Sequence, residues 1–418
     1  MRVKIEPTIP KGEIFAVASK SDAHRAIICS ALADVKTAIH ISHISKDIEA
    51  TLNCIKKIGA DFIKKDDTYE ILPIKERLEN PILDCGESGS TLRFLLPVLS
   101  ALGTGATFVG HGRLPERPMS LIIDLLKSHG NEFSSDKLPI TVSGKTKAGT
   151  FCIAGNVSSQ FISGLLFALP QLSGKSKIQL TSNLESSAYV DMTLSVLKKF
   201  GADIEYFGDE FLINPTGLYK SPKEYIVEGD WSNAAFFMVM AALGGEITIK
   251  NLNLDSFQSD TRILDILKLS GVNFDTSKNA IRIYKSKIMP FDYDVSQCPD
   301  LFPIISILAC GADGKSTLYN AKRLRIKESD RITTTKELIL NLGGMAEETE
   351  DSLTIYGKGK LCGGVVNSAN DHRIAMSAFA ASVISDREIV LEGAEAMDKS
   401  YPSFIDDFRS LGGMTSVI

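Results

Sequence analysis

Glu87-Ser88-Gly89-Ser90-Thr91-Leu92-Arg93-Phe94-Leu95-Leu96-Pro97-Val98-Leu99-Ser100-Ala101-Leu102 opens in small polar residues and a glycine, then turns almost wholly apolar. A helix apolar on nearly every side belongs in a core, which leaves its polar N-terminus to act. Ser88 or Ser90 is placed to cap the first backbone N–H groups, and Gly89 lets another molecule approach the main chain. That end carries roughly half a positive charge and unpaired donors, which suit an anion.

The chain writes this unit six times. Apolar helices open near Lys20-Ser21, Ser88-Gly89, Ser158-Ser159-Gln160, Gly229-Asp230-Trp231-Ser232, Pro299-Asp300 and Asn370-Asp371-His372-Arg373. Between them run amphipathic helices that end in glycine, at Gly59, Gly130, Gly201, Gly271, Gly343 and Gly412, about 70 residues apart. Each glycine stands where a helix end needs a left-handed residue. Strand-turn-strand patterns follow the first five. The repeat predicts a pseudo-symmetric α/β protein whose six units divide into two groups of three.

Val227-Glu228-Gly229-Asp230 marks the midpoint. We expect a first lobe over residues 14–227 and a second over 1–13 plus 228–418, the N-terminal strand completing the last unit. Two chain crossings of this kind make a natural hinge. On the repeat alone, a scaffold or clamp fits as well as an enzyme.

Composition narrows the class. The chain has 418 residues, 44% hydrophobic and 23% charged, with a net charge of -5. That balance argues against a general nucleic-acid or anionic-membrane binder, so positive charge for an anionic ligand must be local. The seven cysteines are scattered without a Cys-x-x-Cys pair, which fits a reducing cytoplasm and no zinc site. The first residues read as a strand with no secretory leader, and no apolar run is long enough to span a bilayer.

The helix openings carry the chemistry. Lys20 and Arg25 sit at the positive end of the first apolar helix, where they oppose the dipole and invite a phosphate or carboxylate. Arg117 stands between Pro115 and Pro118, rigid flanks that hold its fork ready for an anion. Ser158, Ser159 and Gln160 offer neutral donors to a phosphate or polyol. Asp300 reads as a helix cap or, beside an alcohol, a general base. Lys322–Arg331 holds five cations and two carboxylates, with Ser329-Asp330 able to start the next helix. Arg373 and Lys399 add cations near further helix starts. His372 lacks a second histidine at i+4, so it is no metal motif. Cations from both halves imply a cleft for small, strongly anionic substrates, two together. No phosphate loop or dinucleotide fingerprint is present.

Taken in order, Ser19-Lys20-Ser21 with Arg25, Ser88-Gly89-Ser90 with Arg93, Leu114-Pro115-Glu116-Arg117-Pro118, Ser158-Ser159-Gln160, Lys327-Glu328-Ser329-Asp330-Arg331, Asp371-His372-Arg373 and Lys399-Ser400-Tyr401-Pro402 resemble the 5-enolpyruvylshikimate-3-phosphate synthase family. The match spans essentially the whole chain. It implies a two-lobed inside-out α/β barrel of six βαβαββ units, three per lobe. It further implies transfer of an enolpyruvyl group from phosphoenolpyruvate to shikimate 3-phosphate by a cytoplasmic monomer without metal or organic cofactor.

By the same resemblance, Lys20, Ser21, Arg25, Ser158, Ser159, Gln160, Ser186, Tyr189, Asp300 and Lys327 line the shikimate 3-phosphate site. Lys20, Gly89, Arg117, Gln160, Arg331, Arg373 and Lys399 surround phosphoenolpyruvate. Asp300 is the base, Glu328 or Lys399 the proton donor, and Lys20 joins them as a catalytic residue. Several positions depart from the usual pattern: Asp22-Ala23-His24 after the first motif, Glu87, Trp231 and Arg323. The related UDP-N-acetylglucosamine enolpyruvyl transferases carry a reactive cysteine or aspartate in the loop before the Arg117 position. Gly110–Glu116 has neither here.

Overall fold

The computed structural model describes residues 1–418. It holds six four-stranded sheets within two compact units, Ala18–Val227 and the pair Met1–Val17 with Glu228–Ile418. Every sheet repeats one plan. Ile82–Asp84 and Ala106–Val109 run parallel, joined by the helix Gly89–Leu102. Ile140–Gly144 then pairs antiparallel with Ala106–Val109, and Asn131–Phe133 antiparallel with Ile140–Gly144. Parallel neighbours need a long crossover while antiparallel ones need only a turn, which is why each repeat has a helical and a hairpin half.

Three strands take places out of chain order. Lys11–Phe15 precedes the first apolar helix, yet it pairs in parallel with Glu246–Lys250, Ile14 opposite Ile249. Glu224–Ile226 precedes the fourth apolar helix, yet it pairs in parallel with Thr37–His40. This exchange corrects the expected boundary near Ile14. Residues 11–15 are hydrogen-bonded into a sheet of the C-terminal unit, so the first crossing falls after Val17, the second after Val227. Arg2–Ile5 lies between Ile389–Glu392 and Thr415–Val417, antiparallel to both, and so completes the sixth sheet.

The apolar helices fill the core of each unit. Gly89–Leu102 and Ser159–Ala168 pack so closely that a Cβ on Gly164 would collide with the Arg93 carbonyl oxygen. Trp231–Gly244, Phe302–Cys310 and His372–Ala381 pack on one another in the other unit, beside an edge-to-face cluster of Phe236, Phe379, Phe404 and Phe408. The six glycines that end the amphipathic helices all have positive φ, from 73° at Gly201 to 105° at Gly59.

Five of the six inner helices are capped by side chains: Ser19, Ser88, Ser158, Asp230 and Asp371 each accept a hydrogen bond from a first-turn N–H. The exception is Phe302–Cys310. Asp300 does not cap it but lies inside the preceding tight turn Pro299–Leu301. Pro303 brings no N–H to the first turn, so there is one donor fewer to cap. The Asp300 carboxylate instead accepts from Arg331 and Arg373.

Candidate active site

In the unit Ala18–Val227 the polar groups gather at the inner-helix N-termini. The Arg117 guanidinium lies against the first turn of Gly89–Leu102, where a Cβ on Gly89 would stand 2.5 Å from Nη1. Arg117 itself follows the short turn Leu114–Glu116 in extended conformation. Next to it, Arg93 Nη1 donates to Gln160 Oε1 at 2.8 Å, and Gln160 Nε2 donates to Ser90 Oγ at 2.9 Å. Gln160 therefore ties two helix mouths together. Ser159, the first residue of its helix, and Ser186, in left-handed conformation at the head of Ser187–Lys199, are both buried.

Lys20 Nζ donates to Asp47 Oδ2 at 2.9 Å. Arg25 is held from three sides: Nε donates to Thr193 Oγ1 at 2.8 Å, Nη1 to the Ser21 carbonyl at 2.6 Å and Nη2 to the Tyr189 carbonyl at 2.9 Å. Burial brings its pKa down to about 10, so the guanidinium stays charged at neutral pH. A buried cation with neutral partners favours an incoming anion.

The second cluster lies in the unit that contains Glu228–Ile418, and Arg331 is its hub. This fully buried guanidinium donates to Asp371 Oδ2 through Nε at 2.8 Å, to Asp300 Oδ1 through Nη1 at 2.7 Å and to Glu328 Oε2 through Nη2 at 2.8 Å. Burial alone would lower its pKa, but Asp371, Glu328 and Asp300 hold it above the ordinary value. Asp300 is shared further. Arg373 Nη2 donates to its Oδ2 at 3.0 Å, and Lys327 Nζ stands 3.6 Å from Oδ1. Lys399 Nζ donates to the Asn370 carbonyl at 2.6 Å.

Each of these positions has a local cause. Asp330 caps the helix Arg331–Asn341, which fixes Arg331 as its first residue. Asp371 caps His372–Ala381 through the Arg373 N–H at 2.9 Å while it binds Arg331. One carboxylate thus anchors a cation and a helix end.

Three carboxylates that the sequence does not assign to the site hold polar groups of these two clusters: Asp47 holds Lys20, Asp371 holds Arg331 and Asp260 takes the Ser232 hydroxyl. Asp371 carried a signal, as the polar residue just before an apolar helix. Asp47 carried none, being one of two acids in an amphipathic first turn. Asp260 is buried against Ser232, whose hydroxyl donates to Oδ2. Burial, then the Asp300 charge, pushes Asp260 up to about 6 against the pull of Arg373.

The departures from the family pattern also find places. Asp22 accepts from the Tyr225 hydroxyl at 2.6 Å. Trp231 is fully buried, its indole N–H donating to the Asn253 carbonyl at 3.1 Å. Arg323 Nη2 donates to the Ser296 carbonyl at 2.9 Å. Each is absorbed by its own surroundings. No group of three or more His, Cys, Asp or Glu side chains is placed to hold a metal ion, and no helix is long and apolar enough to cross a membrane.

A family model described as EPSP synthase (3-phosphoshikimate 1-carboxyvinyltransferase) matches residues 6–408. The chain belongs to the EPSP synthase family. A 3-phosphoshikimate 1-carboxyvinyltransferase of Clostridium kluyveri is 44% identical over 415 residues, covering 98% of this chain and 97% of that protein. One from Brachyspira hyodysenteriae is 44% identical over 418 residues, covering 99% of both. Among solved structures, an EPSP synthase from Acinetobacter baumannii superposes with a TM-score of 0.83 at 26% identity over 100% of both chains. The enolpyruvyl transferase NikO from Streptomyces tendae shares the fold, with a TM-score of 0.82 at 16% identity over 99% of this chain and 98% of that one. The inside-out EPSP synthase architecture, with apolar helices at the centre of each unit and sheets around them, is thus the architecture of this chain.

Proposed function

We propose a division of labour among these residues for the EPSP synthase reaction, in which the enolpyruvyl group of phosphoenolpyruvate passes to the 5-hydroxyl of shikimate 3-phosphate and phosphate leaves. Lys20, Ser21, Arg25, Ser158, Ser159, Gln160, Ser186, Tyr189, Asp300 and Lys327 bind shikimate 3-phosphate. Lys20, Gly89, Arg117, Gln160, Arg331, Arg373 and Lys399 bind phosphoenolpyruvate. Both units contribute to the reaction, which runs in a cytoplasmic monomer and needs neither metal nor organic cofactor.

Asp300 takes the proton of the 5-hydroxyl as its oxygen adds to C2 of phosphoenolpyruvate. Glu328 or Lys399 protonates C3, giving a tetrahedral phosphate ketal. Loss of phosphate and of a methyl proton then forms the enol ether. The observation that carries this reading is the placement of Asp300 between Arg331 at 2.7 Å and Arg373 at 3.0 Å, with Lys327 at 3.6 Å and Glu328 on the same Arg331. Substrate phosphate and carboxylate groups would draw on Lys327 and Arg373, and the cations stabilise the charge that develops on the ketal.

The test is phosphate release. It should require phosphoenolpyruvate and shikimate 3-phosphate together, and UDP-N-acetylglucosamine should not replace the second. Release with the nucleotide sugar would favour the rival transferase. No release with either acceptor would favour a scaffold.

A further inference from the structure

His24 lies on the first inner helix, Lys20–Ala31, and makes none of the substrate contacts proposed above. Its side chain is fully buried. Nδ1 is 2.7 Å from Thr51 Oγ1, and Nε2 has no hydrogen-bond partner. Thr51, on the helix Lys46–Lys57, stands 2.7 Å from Thr91 Oγ1. Thr91 Oγ1 donates to Ser88 Oγ at 2.7 Å, and Ser88 Oγ also accepts the Thr91 N–H at 3.2 Å. Four buried side chains thus form one unbranched chain, from the first inner helix to the capping residue of the second.

Proton counting gives that chain a direction. A hydroxyl has one proton to donate. Thr91 gives its proton to Ser88, so at the Thr51 contact it accepts. Thr51 then has given its own proton to Thr91 and must accept from His24. The imidazole proton therefore sits on Nδ1, which leaves Nε2 bare. In the other tautomer Nδ1 would draw the proton of Thr51, Thr51 that of Thr91, and none would remain for Ser88. Burial, reinforced by Lys20 and Arg25, keeps the imidazole well below its ordinary value of 6.5, so it is neutral and has this choice to make.

The same amphipathic helix provides a parallel tie, because Asp47 on its first turn holds Lys20 at 2.9 Å. Lys46–Lys57 thereby connects Lys20 through Asp47 and the Gly89 helix through Thr51. We propose that His24 is a positioning residue for the phosphoenolpyruvate side of the site. Its Nδ1–H tautomer sets the direction of the His24–Thr51–Thr91–Ser88 chain, and that direction holds the capped first turn of Gly89–Leu102 where Gly89 meets Arg117. The inference rests on the assignment of Gly89 and Arg117 to phosphoenolpyruvate.

The test joins a spectroscopic and a kinetic readout on the full-length protein. In ¹⁵N-histidine-labelled protein, the resonances lost in His24→Asn should show protonated Nδ1 and unprotonated Nε2. His24→Asn keeps an amide donor near the Nδ1 position and should leave the KM for phosphoenolpyruvate within about twofold, whereas His24→Gln and Thr51→Val should raise it on the order of 5–10-fold, the scale of one lost buried hydrogen bond. The kcat and the KM for shikimate 3-phosphate should stay near the unaltered values. Thr51→Ser keeps the hydroxyl and should behave as unaltered protein, which separates loss of the chain from loss of the fold. An Nε2-protonated ring would overturn the proposal. So would an unchanged phosphoenolpyruvate KM in His24→Gln and Thr51→Val, or a His24→Asn variant as impaired as His24→Gln. Failure of the enzyme reading would show separately, as absent phosphate release by unaltered protein.

Discussion

Asp300 and Gly89 show how much rests on single side chains. Asp300→Asn retains the shape, exchanges one of the two acceptor oxygens for an NH₂ group and cannot take a proton. It should keep both ligands bound and lose on the order of 10²–10⁴ in kcat, the range for loss of a general base. Isothermal titration beside steady-state rates checks both halves, and an undiminished kcat would remove Asp300 from its role. Gly89→Ala places a methyl 2.5 Å from Arg117 Nη1. The atom it meets is the far end of a flexible side chain, so the guanidinium shifts and the fold tolerates the change. The expected result is an unchanged melting temperature with a phosphoenolpyruvate KM raised by roughly 10–100-fold, the scale of a displaced charge-assisted hydrogen bond. A change confined to the KM for shikimate 3-phosphate would contradict the placement of Gly89. The sequence singles out both residues because each stands at the mouth of an apolar helix. The partners of Asp300 were not, since 31 and 73 residues separate it from Arg331 and Arg373.

At the scale of the element, the inner helix His372–Ala381 depends on Asp371. This wholly buried carboxylate caps the helix and pairs with Arg331, whose side chain is 1% exposed. Asp371→Asn leaves a buried guanidinium short of one charge, and breaking such a pair costs roughly 3–5 kcal/mol. Urea denaturation should show a loss of that size, and a change below ~1 kcal/mol would mean that Glu328 and Asp300 suffice. Burial would raise the Asp371 carboxyl, but Arg331 and His372 hold it below its ordinary 3.8. A carboxyl depressed on folding stabilises fully above its unfolded value and loses that contribution as pH falls through the folded one. The stabilisation should therefore persist down to about pH 4 and ebb only in stronger acid, a dependence that Asp371→Asn should lack. The six helix pairs themselves were readable from period and composition. Of the two readings open for Asp300, the cap is the one the structure does not show, and Pro303 leaves the first turn of Phe302–Cys310 one donor fewer.

For the whole molecule, the exchanged strands decide what can fold alone. Residues 18–227 contain all four strands of each of their three sheets, including Glu224–Ile226 beside Thr37–His40. A fragment of these residues should fold as a cooperative unit by circular dichroism and thermal melting. Residues 228–418 lack Arg2–Ile5, a central strand of its sheet, and Lys11–Phe15, an edge strand. That fragment should not fold by itself, and tethering residues 1–17 to it should restore a cooperative melt. Cooperative folding of 228–418 without them would show those strands to be dispensable.

The sequence by itself determined the repeat, the apolar helices with polar mouths and the cations placed against their dipoles, because these are local patterns of period, capping and charge. Family membership followed from motifs kept in order along the chain. Only the tertiary structure decided that Lys11–Phe15 and Glu224–Ile226 trade sheets, that Asp371 joins Asp300 and Glu328 on Arg331 while Asp47 holds Lys20, and that His24 reaches Ser88 through two threonines. Those facts depend on which distant segments meet in a buried place, where every hydrogen-bonding group must find a partner, and no local pattern encodes that choice.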